Sequence, residues 1–197
     1  MSMTLLDWRR RVAAMYADVR ASADADPVTT LERYRAARDR IFAEHPDSPI
    51  APKERQAFEG LPYWDYDPST RFIVPVEPLE SRAATAKSIA GEAFALRRLG
   101  WVHLPIGDLE IYWIDVYGGG IFVPFRDGTS GTTTYGAGRY LIDTVKGADL
   151  GGDVEGLILD FNYAYHPSCA YDPMWSCPLA PRTNWLSASV EAGERLG

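Results

Sequence analysis

Between residues 83 and 161 the chain is cut at close intervals by glycine-centred turns. These are Gly91-Glu92, Gly107-Asp108, the triplet Gly118-Gly119-Gly120 and a polar, glycine-containing loop over residues 146–156. The apolar runs between them are short, and none approaches the roughly 18 apolar residues of a membrane span. Short β-branched and aromatic runs joined by such turns pair as antiparallel hairpins. Strands are therefore expected over residues 83–89, 93–104, 109–117, 121–125, 132–142 and 157–161. Residues 71–76, with two prolines at 75 and 78 close by, read as extended but unfit for a central strand.

The first third of the chain has a different texture. Leu5, Trp8, Val12, Met15, Tyr16 and Val19 recur at three and four, one stripe of an amphipathic helix, with Arg9, Arg10 and Arg11 on its solvated side. Asp26 before Pro27 is an N-cap with proline in the first turn. Leu31, Tyr34, Ile41 and Phe42 then mark a second helix ending near His45-Pro46. A third, short helix is expected over residues 52–58, stopped by Gly60. Residues 162–197, rich in proline and aromatics with no period of their own, read as an ordered strap. The expected fold class is α+β: a helical arm (1–60) packed on a curved antiparallel β-sheet or small β-barrel with an irregular C-terminal strap (61–197), together one structural unit.

Charge follows this division. The 197 residues carry a net charge of −7, and residues 101–197 hold 12 acidic against 5 basic side chains, so the whole excess lies in the β half. A surface of that sign repels phosphate backbones, which argues against nucleic acid as a partner. The N-terminal residues offer no apolar stretch of signal-peptide length. A cytoplasmic location is expected, with no membrane partner and no cofactor; the oligomeric state is left open.

Two long segments stand out. One runs Phe122-Val-Pro-Phe-Arg126-Asp127-Gly-Thr129-Ser130-Gly131 and on through Tyr135-Gly136-Ala-Gly138-Arg139-Tyr140-Leu141. The other runs Asp160-Phe161-Asn162-Tyr-Ala-Tyr165-His166-Pro-Ser-Cys169-Ala-Tyr171 and on through Cys177-Pro178-Leu to Asn184. Together they resemble a prokaryotic family of unknown function, DUF1684, whose pattern runs through FRDATSG…TYGGGRYL and then DFNxAYxPxCAYxPxxxCPLPPxxN. The resemblance covers residues 60–193 and implies no reaction. His166 stands where the family has Asn, and Gly128 and Ala137 replace a small residue and a glycine, so no role for His166 is inherited.

Physically, Arg126 to Gly131 is a polar turn leaving an apolar strand, with glycines that free backbone N–H groups to face an anion. If the following residues continue as a strand, Tyr135 and Arg139 share one face, and Asp160 and Asn162 share a face of the last strand. A curved sheet would then gather Arg126, Asp127, Ser130, Tyr135, Arg139, Asp160 and Asn162 around one concavity, where an arginine fork suits a carboxylate or phosphate. This gives one functional expectation, the binding of a small polar or anionic molecule. The same residues also satisfy a structural reading, with Arg139 and Asp160 as an internal ion pair.

A hydrolase or metal-dependent enzyme is the alternative from a different class. His166, Cys169 and Cys177 have an H-x2-C-x7-C spacing, and zinc accepts both donor types; three ligands with an open position would be catalytic in style, but there is no second C-x2-C pair and the family resemblance does not retain the histidine. A Cys169–Cys177 disulfide would close a loop of about nine residues and contribute roughly 2.5 kcal/mol; buried free thiols are the other simple state of the pair. Ser130 lies outside any G-x-S-x-G elbow, and no catalytic residue is singled out. A purely structural or partner-binding domain completes the alternatives.

Overall fold

The computed structural model describes residues 3–197. Two helices open the chain, α1 (Thr4–Ser22) and α2 (Pro27–Glu44). Asp26 caps α2 by accepting the Thr29 N–H at 3.2 Å, with Pro27 in the first turn as its sequence position requires. Trp8 meets Phe42 and Tyr16 meets Tyr34, which makes the pair an antiparallel hairpin. The expected stripe is the packed one: Met15, Tyr16 and Val19 of α1 and Leu31, Tyr34, Ile41 and Phe42 of α2 are buried, while Arg9, Arg10 and Arg11 are exposed. The third helix reduces to a single 3-10 turn at Arg55–Ala57, since Pro52 and Gly60 leave too few residues to pay for nucleation.

Seven strands follow: β1 (Arg71–Val74), β2 (Glu77–Lys87), β3 (Ala93–Leu104), β4 (Gly107–Ile114), β5 (Gly120–Phe125), β6 (Arg139–Asp143) and β7 (Leu157–Asp160). β2 to β6 form a five-stranded antiparallel meander in chain order, its first three turns falling at the expected glycines. β1 and β7 pair separately, Arg71 opposite Asp160 and Val74 opposite Leu157. That arrangement spares the proline-flanked β1 a central position.

Two expectations are corrected. The sheet is open, not a barrel: β6 takes its next partner from the strap, where Tyr140 and Tyr165 exchange backbone hydrogen bonds of 2.8 and 3.0 Å, instead of closing on β2. And the strand expected from residue 132 begins only at Arg139. The Thr129 carbonyl collects the N–H groups of Thr132, Thr133 and Thr134, each at 3.1 Å, and Gly131 and Gly138 take positive φ, so residues 129–138 coil into turns despite their β-prone composition.

The main core lies where the helical hairpin, the inner face of the meander and the strap meet, with Val102, Leu109, Phe125, Leu141, Leu159 and Phe161 essentially inaccessible. A smaller cluster on the other side joins Leu96, Tyr112, Phe122 and Tyr140 to Cys169 and Cys177.

Candidate functional site

A cleft of about 70 Å³ lies between the helical hairpin and the sheet. Trp8, Val12 and Tyr16 of α1 and Tyr34, Arg38 and Phe42 of α2 form one wall; Tyr140 of β6, the 146–148 turn and residues 165–168 of the strap form the other. Lys146, half-exposed at 49% and 3.6 Å from Asp143, supplies a cation at the rim.

Behind the cleft lies a buried charge network. Arg38 falls on the apolar stripe of α2, in line with Leu31, Tyr34 and Ile41, and its guanidinium is enclosed between the rings of Phe42 and Tyr165, 4.6 and 5.4 Å away. It donates to the Tyr63 hydroxyl (2.9 Å) and Tyr171 hydroxyl (3.3 Å), and forms a 2.8 Å ion pair with Glu194 of the strap. Glu194 also accepts the backbone N–H of His166 (3.0 Å), His166 Nδ1 (3.2 Å) and the Tyr171 hydroxyl. Burial pushes the Glu194 carboxyl up, but the Arg38 charge and then the His166 and Tyr171 hydrogen bonds outweigh it and hold the carboxyl down at about 2. His166 Nε2 accepts the Tyr135 N–H at 3.2 Å, which assigns the ring proton to Nδ1. Both ring nitrogens are thereby committed to the protein.

The seven residues expected to line one concavity divide among separate places. Arg139 is the centre of one. It is buried, 3.5 Å from Asp127, and donates to the carbonyls of Val190 (2.8 Å), Ala192 and Glu194 (3.2 Å), with its guanidinium over Phe125. Asp127 in turn accepts from the Thr129 hydroxyl (2.8 Å), the Ser130 hydroxyl (3.3 Å) and the Val190 N–H (2.8 Å). This arginine faces a closed interior and fastens the strap to the sheet. Asp160 and Asn162 form a second group: Asp160 accepts from Asn162 and lies 3.7 Å from Arg71, while Asn162 holds residue 67 through a reciprocal pair of 2.9 Å bonds. Arg139 and Asp160 therefore serve different networks. Arg126 stacks 4.2 Å above the Trp185 ring. Tyr135 donates to the Cys169 carbonyl at 3.3 Å.

The enzyme alternatives meet geometric obstacles. The Ser130 hydroxyl is engaged by Asp127, and His166 has no nitrogen left to take its proton. Among the described residues no group of three or more His, Cys, Asp or Glu side chains is placed to hold a metal; His166 is committed to Glu194 and the Tyr135 N–H. Cys169 and Cys177 are buried free thiols. Arg38 and Glu194 went unrecognised in the sequence, although an arginine at 38 interrupting the 31, 34, 41, 42 stripe was a visible signal.

Fold and site together define an α+β protein in which a helical hairpin and a strap close on an open antiparallel meander, joined by a buried ion pair beside a cleft. The chain belongs to the family of proteins of unknown function DUF1684, whose model matches residues 56–195. Among solved structures it is similar to the solution NMR structure of the uncharacterized protein from gene locus rrnAC0354 of Haloarcula marismortui. The two share 34% identity over 85% of this chain and 93% of that one, with a TM-score of 0.56. No curated protein matches the chain. The family match begins after α2, so Glu194 and His166 lie within it and Arg38 before it. No helix among the described residues is long and apolar enough to cross a membrane.

Proposed function

We propose that this protein binds a small molecule with an apolar body and an anionic end in the cleft between the helical hairpin and the strap. The carrying observation is the cleft itself: a concavity walled by Trp8, Tyr16, Phe42 and Tyr140, with Lys146 at its mouth and the fixed Arg38–Glu194 network behind it. Aromatic walls with a few placed polar groups are the usual make-up of a small-molecule site. Arg139 and Asp127 then act as the frame that keeps the strap wall in place, while Arg126 stays available to solvent-borne anions on Trp185.

The test uses acetate, propionate and butyrate, whose sizes suit a cleft of about 70 Å³, as probes followed by saturation-transfer NMR and thermal shift. The wild type is expected to transfer saturation to at least one probe, Val12→Trp to abolish it by filling the cleft, and Lys146→Glu to weaken it about tenfold by reversing the rim charge. Binding that survives Val12→Trp unchanged, or no transfer to any of the three, refutes the reading.

A further inference from the structure

Where β5 ends, the strap returns to the sheet. The Arg126 N–H donates to the Asn184 carbonyl (2.9 Å) and the Arg126 carbonyl accepts the Leu186 N–H (2.8 Å), which sets Arg126 and Trp185 side by side in a parallel bridge. The fully buried Asn184 holds this turn in place: its side chain accepts the Glu110 N–H (2.9 Å) and donates to the carbonyls of Glu110 (3.0 Å) and Pro124 (2.8 Å). The indole of Trp185 is fixed through its own N–H, which donates to the Ala180 carbonyl at 3.1 Å, and the residue is 42% exposed. Two guanidinium groups lie over this one ring, Arg126 at 4.2 Å and Arg182 at 4.8 Å from its centroid.

The charges around the ring are unbalanced. Residues 101–197 hold 5 basic side chains against 12 acidic ones. Arg139 pairs with Asp127, Lys146 with Asp143, and Arg195 donates to backbone carbonyls. Among the described residues, Arg126 and Arg182 are the two of the five with neither an ion pair nor a side-chain hydrogen bond. The acids beside them are already engaged: Asp127, next along the chain, by Arg139, and Glu110, under Asn184, by Arg98. Cation–π attraction uses the flat face of a guanidinium and leaves the N–H groups at its edge free to donate. Two like charges on one ring also repel each other, a cost that an anion between them removes.

We propose that Arg126 and Arg182, seated on Trp185, form a binding site for a phosphate dianion, either free or as a phosphate monoester. The site is separate from the cleft, since none of its three residues lines that cavity. Two guanidinium forks offer two positive charges and paired N–H donors, which a tetrahedral dianion can accept on different oxygens. The bridge to Trp185 and the three hydrogen bonds of Asn184 fix the backbone beneath both arginines before any ligand arrives, which lowers the ordering cost of binding.

The experiment titrates the nitrogen-15-labelled full chain with inorganic phosphate and with glycerol 2-phosphate in low-salt buffer, following the Trp185 indole N–H, assigned with Trp185→Phe, and the arginine Nε–H signals. The wild type is expected to show saturating shifts of the Trp185 signal and of two arginine signals. Arg126→Gln and Arg182→Gln should each weaken binding about tenfold, since each removes one charged fork. Arg82→Gln, which deletes an exposed arginine paired with Glu80, should leave it unchanged. Equal affinity for the two probes supports a monoester as the ligand, and a preference for inorganic phosphate supports the free anion. A wild type without saturating shifts for either probe overturns the proposal, as does the same response to chloride at matched ionic strength. Arg182→Gln, at a fully solvated position, binding as tightly as the wild type overturns it as well, whatever the folding of Arg126→Gln.

Discussion

Replacing Glu194 by Gln removes one charge from the Arg38 network while keeping the size of the side chain. The carboxyl is fully buried and held at about 2, against an ordinary 4.5. At ~1.4 kcal/mol per pH unit, that difference is worth about 3 kcal/mol of folding stability at neutral pH. Breaking a buried pair by neutralising one partner costs a similar ~3–5 kcal/mol, because Arg38 remains enclosed by Phe42, Tyr63, Tyr165 and Tyr171 without its counter-charge. For a chain of this size each kcal/mol moves the midpoint by roughly 2–4 °C, so Glu194→Gln should melt about 10 °C lower at pH 7. The sign of the pH dependence follows from a depressed folded-state value. The stabilisation is complete above about pH 5, and it is lost as pH falls from 4.5 through about 2. Thermal or urea unfolding followed by circular dichroism between pH 2 and 7 should therefore show the gap between wild type and variant narrowing on acidification. A variant within ~1 kcal/mol of the wild type at pH 7, or a gap that stays constant down to pH 2.5, refutes the assignment of Glu194 as an ionised partner of Arg38.

Other expectations are more local. Arg139→Lys replaces a fork that reaches three strap carbonyls and Asp127 with a single ammonium, and should cost about 2–3 kcal/mol in urea unfolding; an unchanged midpoint would show that the strap is fastened elsewhere. Gly193→Ala should be more damaging than an ordinary surface change, by more than ~2 kcal/mol, because φ there is +75° and a Cβ would lie 2.6 Å from the carbonyl oxygens of Phe161 and Ala164. Near-wild-type expression and melting of that variant would count against the tight turn that delivers Glu194.

How much of this could be read from the residues alone varies with the kind of interaction. The hairpin helices and the meander carry local signatures, an apolar stripe with an Asp-Pro cap and strands between glycine turns, and both appear where expected. Residues 132–138 misled because threonine and tyrosine favour strands, while the decisive event, one carbonyl gathering three amides between two left-handed glycines, is set by backbone geometry. Asp127 stood among the residues expected around Arg139, but its carbonyl partners at residues 190–194 have no side-chain signature, and the Asp160 pairing offered as an alternative is not made. Arg38 was legible in principle, being charged where the stripe demands an apolar residue. Glu194 was not, since nothing local marks a glutamate in an irregular strap as the counter-ion of a helix.

The Arg38–Glu194 pair also imposes an order of events during synthesis. A ribosome delivers the helical hairpin long before it reaches residue 194, and until then the guanidinium has tyrosine hydroxyls but no carboxylate to offset its dehydration. The nascent hairpin accordingly gains little by docking early. Its seating on the sheet waits for the strap, which couples the earliest-made segment to one of the last and makes acquisition of the native state a late, collective step.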